Sequence, residues 1–466
     1  MGWCESPPFF CASTETAQDI ITLLLEEPHL PAHPMETIML QKCCEHECFP
    51  APERQVQLIK VYVDDFIGAT NDLSFHNLQH MSRAMLHGIH SIFPPPKVTG
   101  HCGEDPVSES KLAKGEGTWE YRKEILGWIF DGEAYTIQLP PEKCATICSQ
   151  LRQLRKSNRA SLNRFQRVAG RLQHAAMGMP GGKALFTPID MAMKGDPEYI
   201  TLTPVLRQCL EDWQYFINHM KRNPTSVLQL VCHSPHYINY TDSCGLGTGG
   251  ICSAGDAPLT PFLWQLEWPA PIQQALVTDT NRHGTITIND LELAGAVLGF
   301  LVLEWIHTPL RHRHVATFCD NTSAVSWAYK LRNSTSLIAG RLLRLLGIRI
   351  HASEASSIVP HHICGVNNIM ADVVSRAFKN GKFFEASHNL VAYFNKHFPL
   401  PKSTSWTEFH LPKELSSPVI ACLLGKQQHL ASLLRLMKHG KNIGESGRGT
   451  QRCATSTLSS HKNSSH

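Results

Sequence analysis

Four acidic residues in the second half of the chain, Asp242, Glu292, Asp320 and Asp372, stand in settings that suit metal-binding carboxylates. Asp242 follows the apolar run Tyr237, Ile238, Tyr240 and precedes Gly245, Gly247, Gly249 and Gly250, a strand end with open space beyond it. Glu292 lies near the start of a long apolar helix expected over Ile288 to Trp305. Asp320 ends a second strand, His314 to Cys319, and Asp372 sits in a short helix around Ala371 to Ala377. The order strand, helix, strand, helix suits acids that are distant along the chain and converge in space. A set of four can hold two divalent cations, which stabilise both the attacking and the leaving oxygen when a phosphodiester is cut or built. Like charges so crowded oppose folding without cations, so the reading implies Mg2+ or Mn2+.

Each acid alone has a plainer explanation. Asp242 fits a turn. Asn289 and Glu292 have the spacing of a capping box, and Asp290 is a rival carboxylate on a different helix face. Asp320 fits a helix cap and Asp372 a favourable first-turn charge. The plain explanation wins at every single position and loses for the four together.

A second acidic pair lies far upstream, in Val61-Tyr62-Val63-Asp64-Asp65-Phe66. Gln57 to Ala69 reads as strand, turn, strand, so Asp64 and Asp65 are expected at a tight turn between apolar arms.

The elements that must position these acids follow from apolar spacing. Glu124 to Pro140 reads as a hairpin turning at Asp131-Gly132. Residues 142–177 read as helical, with Leu151, Leu154, Leu162, Phe165, Val168 and Leu172 at helical spacing. Between Lys143 and Arg171 there are eight basic residues and no acid. Arg164, Arg167 and Arg171 share a face that could follow phosphates, or that simply faces water. Gly178 to Gly182 breaks the pattern, and a further helix is expected over Pro204 to Lys221. From His236 a hairpin opens a sheet, Phe262 to Trp268 adds a strand, and Ser357 to Pro360 another. Residues 440–466 are rich in Ser, Gly, Lys and Thr and are expected to be disordered.

At 466 residues the chain is too long for one core. A net charge of +3 is too small to argue for a polyanionic partner by itself. Sixteen cysteines without a secretory signal favour an intracellular, reducing compartment over a disulfide framework. Cys43, Cys44, His46 and Cys48 fit no common zinc spacing and read as free cysteines in a loop. No apolar run is long enough to span a bilayer.

Residues 236–378 resemble the ribonuclease H domain of retroelement polyproteins. The resemblance rests on Tyr240-Thr241-Asp242-Ser243, Leu291-Glu292-Leu293-Ala294, Cys319 to Ala324, and the run His361 to Arg376. It implies cleavage of the RNA strand of an RNA–DNA hybrid. It also implies a mobile histidine ten residues before the last acid, which is His362, with His361 as its neighbour. Cys364 falls where related sequences often carry proline, so a looser loop is expected there. Tyr62-Val63-Asp64-Asp65 resembles the acidic hairpin of reverse transcriptases, where the first Asp binds metal. Gly2 to Phe10 resembles the loop-helix element that packs on the templating base, and Leu126-Gly127-Trp128 the hairpin that grips the primer. The family takes a further metal-binding Asp from an upstream strand, and Asp19 has no strand before it. The polymerase half is therefore expected to be incomplete.

The expected architecture is a multidomain mixture of α/β and α+β folds. It comprises a truncated reverse transcriptase palm over 1–141, a helical thumb and connection over 142–235, and a ribonuclease-H-like mixed sheet with flanking helices over 236–380. A weakly structured extension over 381–439 precedes the tail. Expected partners are an RNA–DNA hybrid and primer/template nucleic acid, with no membrane. The competing readings are a catalytically silent nucleic-acid-binding relic and a nuclease of related fold acting on DNA.

Overall fold

The computed structural model describes residues 6–46, 49–50, 52–95, 105–231, 234–333, 335–355, 358–379, 381–401 and 404–437. Expectations placed on Gly2 to Glu5, Cys48, Ser357 and the 440–466 tail lie outside these residues. The chain is mixed α/β and divides into two compact units, Met1–Ala134 and Tyr135–His466. Among the described residues no helix is long and apolar enough to cross a membrane.

In the first unit, helix α1 (Ser6–Leu24) packs on α2 (Phe75–Ile92). A Cβ on Gly88 would stand 2.3 Å from Ile21 Cγ1, so the close approach of the two helices requires glycine there. Their core gathers Ile21, Met35, Met39, Ile59, Met81 and Met85. Beside it β1 (Gln57–Tyr62) and β2 (Asp65–Thr70) form an antiparallel hairpin with Tyr62 opposite Asp65. The turn is therefore Val63-Asp64, and Asp65 already belongs to the returning strand. Further on, β3 (Arg122–Ile125) and β4 (Trp128–Asp131) pair antiparallel. Their turn falls at Leu126-Gly127, both with positive φ (50° and 78°). Gly127 takes the left-handed conformation without strain. Strand β4 ends at Asp131, and Asp131 Oδ1 accepts from Ala134 N at 2.8 Å, so the Asp131-Gly132 turn is present as well.

The second unit begins with β5 (Thr136–Gln138), followed by the region expected as helical over 142–177. It forms two helices, α3 (Pro141–Lys156) and α4 (Leu162–Met177), and the short strand β6 (Arg159–Ser161) between them was not foreseen. Strand β6 pairs with β7 (Tyr199–Thr201), and Asn158 O accepts from Leu202 N at 2.9 Å. Tertiary pairing outside the segment thus overrides its helical apolar spacing. Helix α5 (Pro204–Arg222) packs on α3, and β8 (Thr225–Ser226) pairs with β5.

A six-stranded sheet dominates the rest. Strands β9 (Tyr237–Ser243), β10 (Gly247–Ala254) and β11 (Phe262–Glu267) form an antiparallel meander. After α6 (Ile288–Ile306), β12 (Val315–Cys319) lies parallel to β9 on its other side. Helices α7 (Thr322–Lys330) and α8 (Leu337–Ala352) lead to β13 (Ile358–His362), parallel to β12. The order is β13-β12-β9-β10-β11, closed at the far edge by β14 (Thr407–Glu408) parallel to β11. Helix α6 lies against β9, β10 and β12, and α9 (Ile369–Arg376) against β9, β10 and β11.

Residues 381–401 and 404–437 are not weakly structured. Helix α10 (Leu390–His397) sends Leu390 and Phe394 into a core with Val373, Val374 and Trp406. Helices α11 (Lys413–Leu423) and α12 (Leu430–Arg435) bury Leu415, Val419, Leu423 and Leu433 against α6 and α8. The cause lies in α6, whose residues are buried from Asp290 through Glu304 without an exposed face. A helix apolar all round must be covered on every side, and the sheet covers only one.

Candidate metal centre

Parallel strands β9 and β12 end side by side, and Asp242, next to the last residue of β9, and Asp320, directly after β12, come to one rim of the sheet. Helix α6 delivers Glu292 to the same rim. Helix α9, on the other face of β9, delivers Asp372 and Ser375. The carboxylates sense one another: Asp242 is repelled by Asp320 and Asp372, and Glu292 by Asp242 and Asp320. The tightest group is Glu292, Cys319 and Asp320, with one ligand atom from each within 4.8 Å of the others. Asp242 stands outside that trio but is coupled to both of its acids, and Asp372 is coupled to Asp242.

The plainer explanations for Glu292 and Asp320 fail on inspection. The cap of α6 is Thr287, not Asn289: Thr287 Oγ1 accepts from Asp290 N, and Asp290 returns the bond to Thr287 N at 2.9 Å. Asp290 also accepts from Ser336 Oγ at 2.8 Å, which occupies the rival carboxylate. The cap of α7 is Asn321, whose Oδ1 accepts from Ala324 N at 2.9 Å. Glu292 and Asp320 are therefore free of capping duty. Asp372 does sit in the first turn of α9, where it pairs with Arg376.

Burial sets the electrostatics. Asp242 and Glu292 are 3% and 4% exposed, while Asp320 and Asp372 are half-buried. Burial pushes the Asp242 carboxyl up to about 6, against a hydrogen bond from Ser375 and with help from Asp320 and Asp372. Burial, then Asp242 and Asp320, hold Glu292 well above the usual carboxylate range. The Cys319 thiol, 3.6 Å from Glu292 Oε2, is pushed up by its own burial and by Glu292. Arg376 is the cation beside the set. The carboxylate oxygens of the acids suit a hard divalent cation of the magnesium or manganese kind, and the Cys319 thiol is the one soft donor in the tight trio.

His362 lies exposed at the end of β13, with Nε2 3.1 Å from the backbone oxygen of Asp320. His361 points elsewhere and stacks on Phe318 at 5.0 Å, which itself stacks on Tyr240. Strand alternation separates the two histidines, and His362 is the one at the acids. Cys364 is exposed and leads into a single turn at Gly365–Asn367. A Cβ on Gly365 would stand 3.0 Å from Asp320 Oδ2, so that loop closes over the site. Ser375 and Cys319 escaped sequence reasoning. The signal for Ser375 was its spacing of three from Asp372, one helical turn on the same face.

In the other unit, Tyr62, Asp64 and Asp65 are exposed on their hairpin, with Val63 at φ 60°. A β-branched residue in that region is strained. Gln18 Oε1 accepts from Val61 N at 2.9 Å and ties the hairpin to α1. Among the described residues Asp64 and Asp65 belong to no tight metal-ligating trio. Arg164, Arg167 and Arg171 are exposed along α4.

No family model matches the sequence, and no curated protein does. Among solved structures the chain is similar to the foamy viral protease-reverse transcriptase in complex with dsDNA, at 16% identity and a TM-score of 0.33 over 78% of this chain and 60% of that one. It is also similar to the foamy viral protease-reverse transcriptase dRH in complex with ds DNA, at 16% identity and a TM-score of 0.30 over 66% of this chain and 46% of that one. The chain thus spans less than two thirds of either. Scores so low leave the functional reading to the geometry of the site.

Proposed function

We propose that this chain is a retroelement-derived fragment whose second unit hydrolyses the RNA strand of RNA–DNA hybrids with Mg2+ or Mn2+. The observation that carries the reading is the convergence of Asp242, Glu292, Asp320 and Asp372 on one sheet rim. The sheet order, with a meander followed by two parallel strands, is what a ribonuclease-H-like domain needs to deliver acids from strand, helix, strand and helix.

Bound cations would supply charge stabilisation at the attacking and leaving oxygens. Asp242, Glu292, Asp320 and Asp372 would hold them. Arg376 keeps Asp372 oriented, and Ser375 does the same for Asp242. His362 stands at the open edge, where its imidazole can carry a proton to or from the leaving oxygen. Asp64 and Asp65 form an exposed hairpin that joins no tight metal-ligating trio among the described residues, and the reading rests on the hydrolytic site.

The test is incubation of the full chain with Mg2+ and a hybrid labelled on its RNA strand. Shortened RNA from the wild-type chain, absent with Asp242→Asn, is expected. A wild-type chain that binds the hybrid and leaves it intact would identify a silent relic, and cleavage of duplex DNA instead would identify a DNA nuclease.

A further inference from the structure

We propose that the junction of α3 and α5 is a preformed phosphate cleft that grips the phosphodiester backbone of a nucleic-acid strand. The proposal deepens the nucleic-acid reading above and rests on it. The cleft has a volume of about 530 Å³ and is lined by Arg152, Arg155, Lys156 and Arg207, with Glu211 the one acid among the lining residues.

The way these arginines are held is what points to a ligand. Arg207 is half-buried and donates through Nε to Leu202 O at 3.0 Å, through Nη2 to Asn158 Oδ1 at 3.3 Å, and through Nη1 to Arg155 O. Arg155 donates to Gln214 Oε1 at 3.0 Å, and Arg152 to Cys148 O at 3.2 Å. All of these acceptors are uncharged. They fix the guanidinium planes without neutralising them. Among the described residues only one acid approaches a lining arginine: Glu211 lies 3.6 Å from Arg155, and the Glu211 side chain is 49% exposed. Elsewhere in this unit Arg332, Arg344, Arg349 and Arg376 each spend their charge on a carboxylate. Oriented guanidinium groups, two of which (Arg152 and Arg207) have no ion pair among the described residues, set in a concave surface, match a phosphate, which such groups recognise in a fixed geometry.

The cleft also opens onto a longer track. Arg164 Nη2 donates to Gln153 Oε1 at 2.9 Å, which joins the exposed arginine face of α4 to the α3 turn that carries Arg152. A strand seated in the cleft would continue along Arg164, Arg167 and Arg171. This continuity favours a polymer over a free nucleotide.

The test uses the full chain carrying Asp242→Asn, so that substrate survives, and a fluorescently labelled hybrid titrated across a salt series. Arg152 and Lys156 are exposed, so the pair Arg152→Gln and Lys156→Gln leaves the core intact. The double variant is expected to weaken binding at low salt by about tenfold and to flatten the log–log salt slope by roughly 1 to 2, near 0.9 for each phosphate that is no longer neutralised. Glu211→Gln is expected to tighten binding. Pyrophosphate alone should bind too weakly to displace the labelled strand. Wild-type affinity and slope in the double variant would overturn the cleft. So would an equal change on replacing the remote exposed pair Lys413 and Lys426, or displacement of the strand by pyrophosphate. Binding and cleavage are read separately, so loss of the hydrolase reading leaves this result interpretable.

Discussion

Asp242 opposes the fold that it serves. Its carboxyl is pushed up to about 6, above the ordinary 3.8, so the folded chain holds that proton more tightly than the unfolded one. The sign follows: stability is greatest below the unfolded value and is lost as pH rises through 6. Asp242→Asn is therefore expected to abolish hybrid cleavage and yet stabilise the metal-free chain at pH 8 by roughly 1–2 kcal/mol, read by urea unfolding. His362→Ala is expected to slow cleavage by roughly 100-fold, the lower range for a lost proton-transfer group, with hybrid affinity unchanged in the same binding titration. Equal losses from His361→Ala would place the proton carrier on the wrong histidine. At this scale much was legible, because acids at strand ends and helix starts leave a pattern in the sequence. The supporting cast was not, since Cys319 beside Glu292 and Ser375 beside Asp242 depend on how α6 and α9 seat on the sheet.

Helix α8 is the element that ties the second unit together. Its Arg344 pairs with buried Asp212 on α5, and its Arg349 with fully buried Glu304 on α6. Arg349 also donates to Leu433 O in α12 at 2.9 Å. Arg349→Met leaves Glu304 uncompensated in the core and is expected to lower stability by about 3–5 kcal/mol in a denaturant melt, while Arg349→Met with Glu304→Leu recovers most of it. In the first unit a histidine relay holds the segment before α2. Met35 N donates to His33 Nδ1 at 3.2 Å, His33 Nε2 meets His90 Nδ1 at 3.1 Å, and His90 Nε2 meets Asp105 at 3.0 Å. Burial, then His90 and His87, push His33 down to about 4, while Asp105 and Glu36 act against them. A folded value below the unfolded one means stability that is full above about 6.5 and lost as pH falls through 4. Amide exchange in α2 is expected to accelerate between pH 7 and pH 4.5 beyond its intrinsic dependence, and His33→Gln should remove most of that change. The elements misread from sequence share one cause. The break at Ser157 to Ser161 and the order in residues 381–401 and 404–437 are both imposed by partners far along the chain. Only α6, apolar on every side, carried a local sign that more structure had to cover it.

Across the whole molecule the two units differ in how complete their chemistry is. The hairpin with Asp64 and Asp65 is exposed, and among the described residues no third ligand joins it, so sustained DNA synthesis in a primer-extension assay is not expected. The second unit brings four carboxylates to one rim and leaves them short of positive charge. A cation that binds only the assembled rim must raise the melting temperature of the chain that folds it. The most direct measurement is thermal unfolding of the full chain at pH 7.5 with and without Mg2+, beside Asp242→Asn and Glu292→Gln. The expected result is an upward shift of several degrees in the wild-type chain that is absent in both variants. An identical shift in all three, or none in the wild type, would contradict a shared metal site at these four acids.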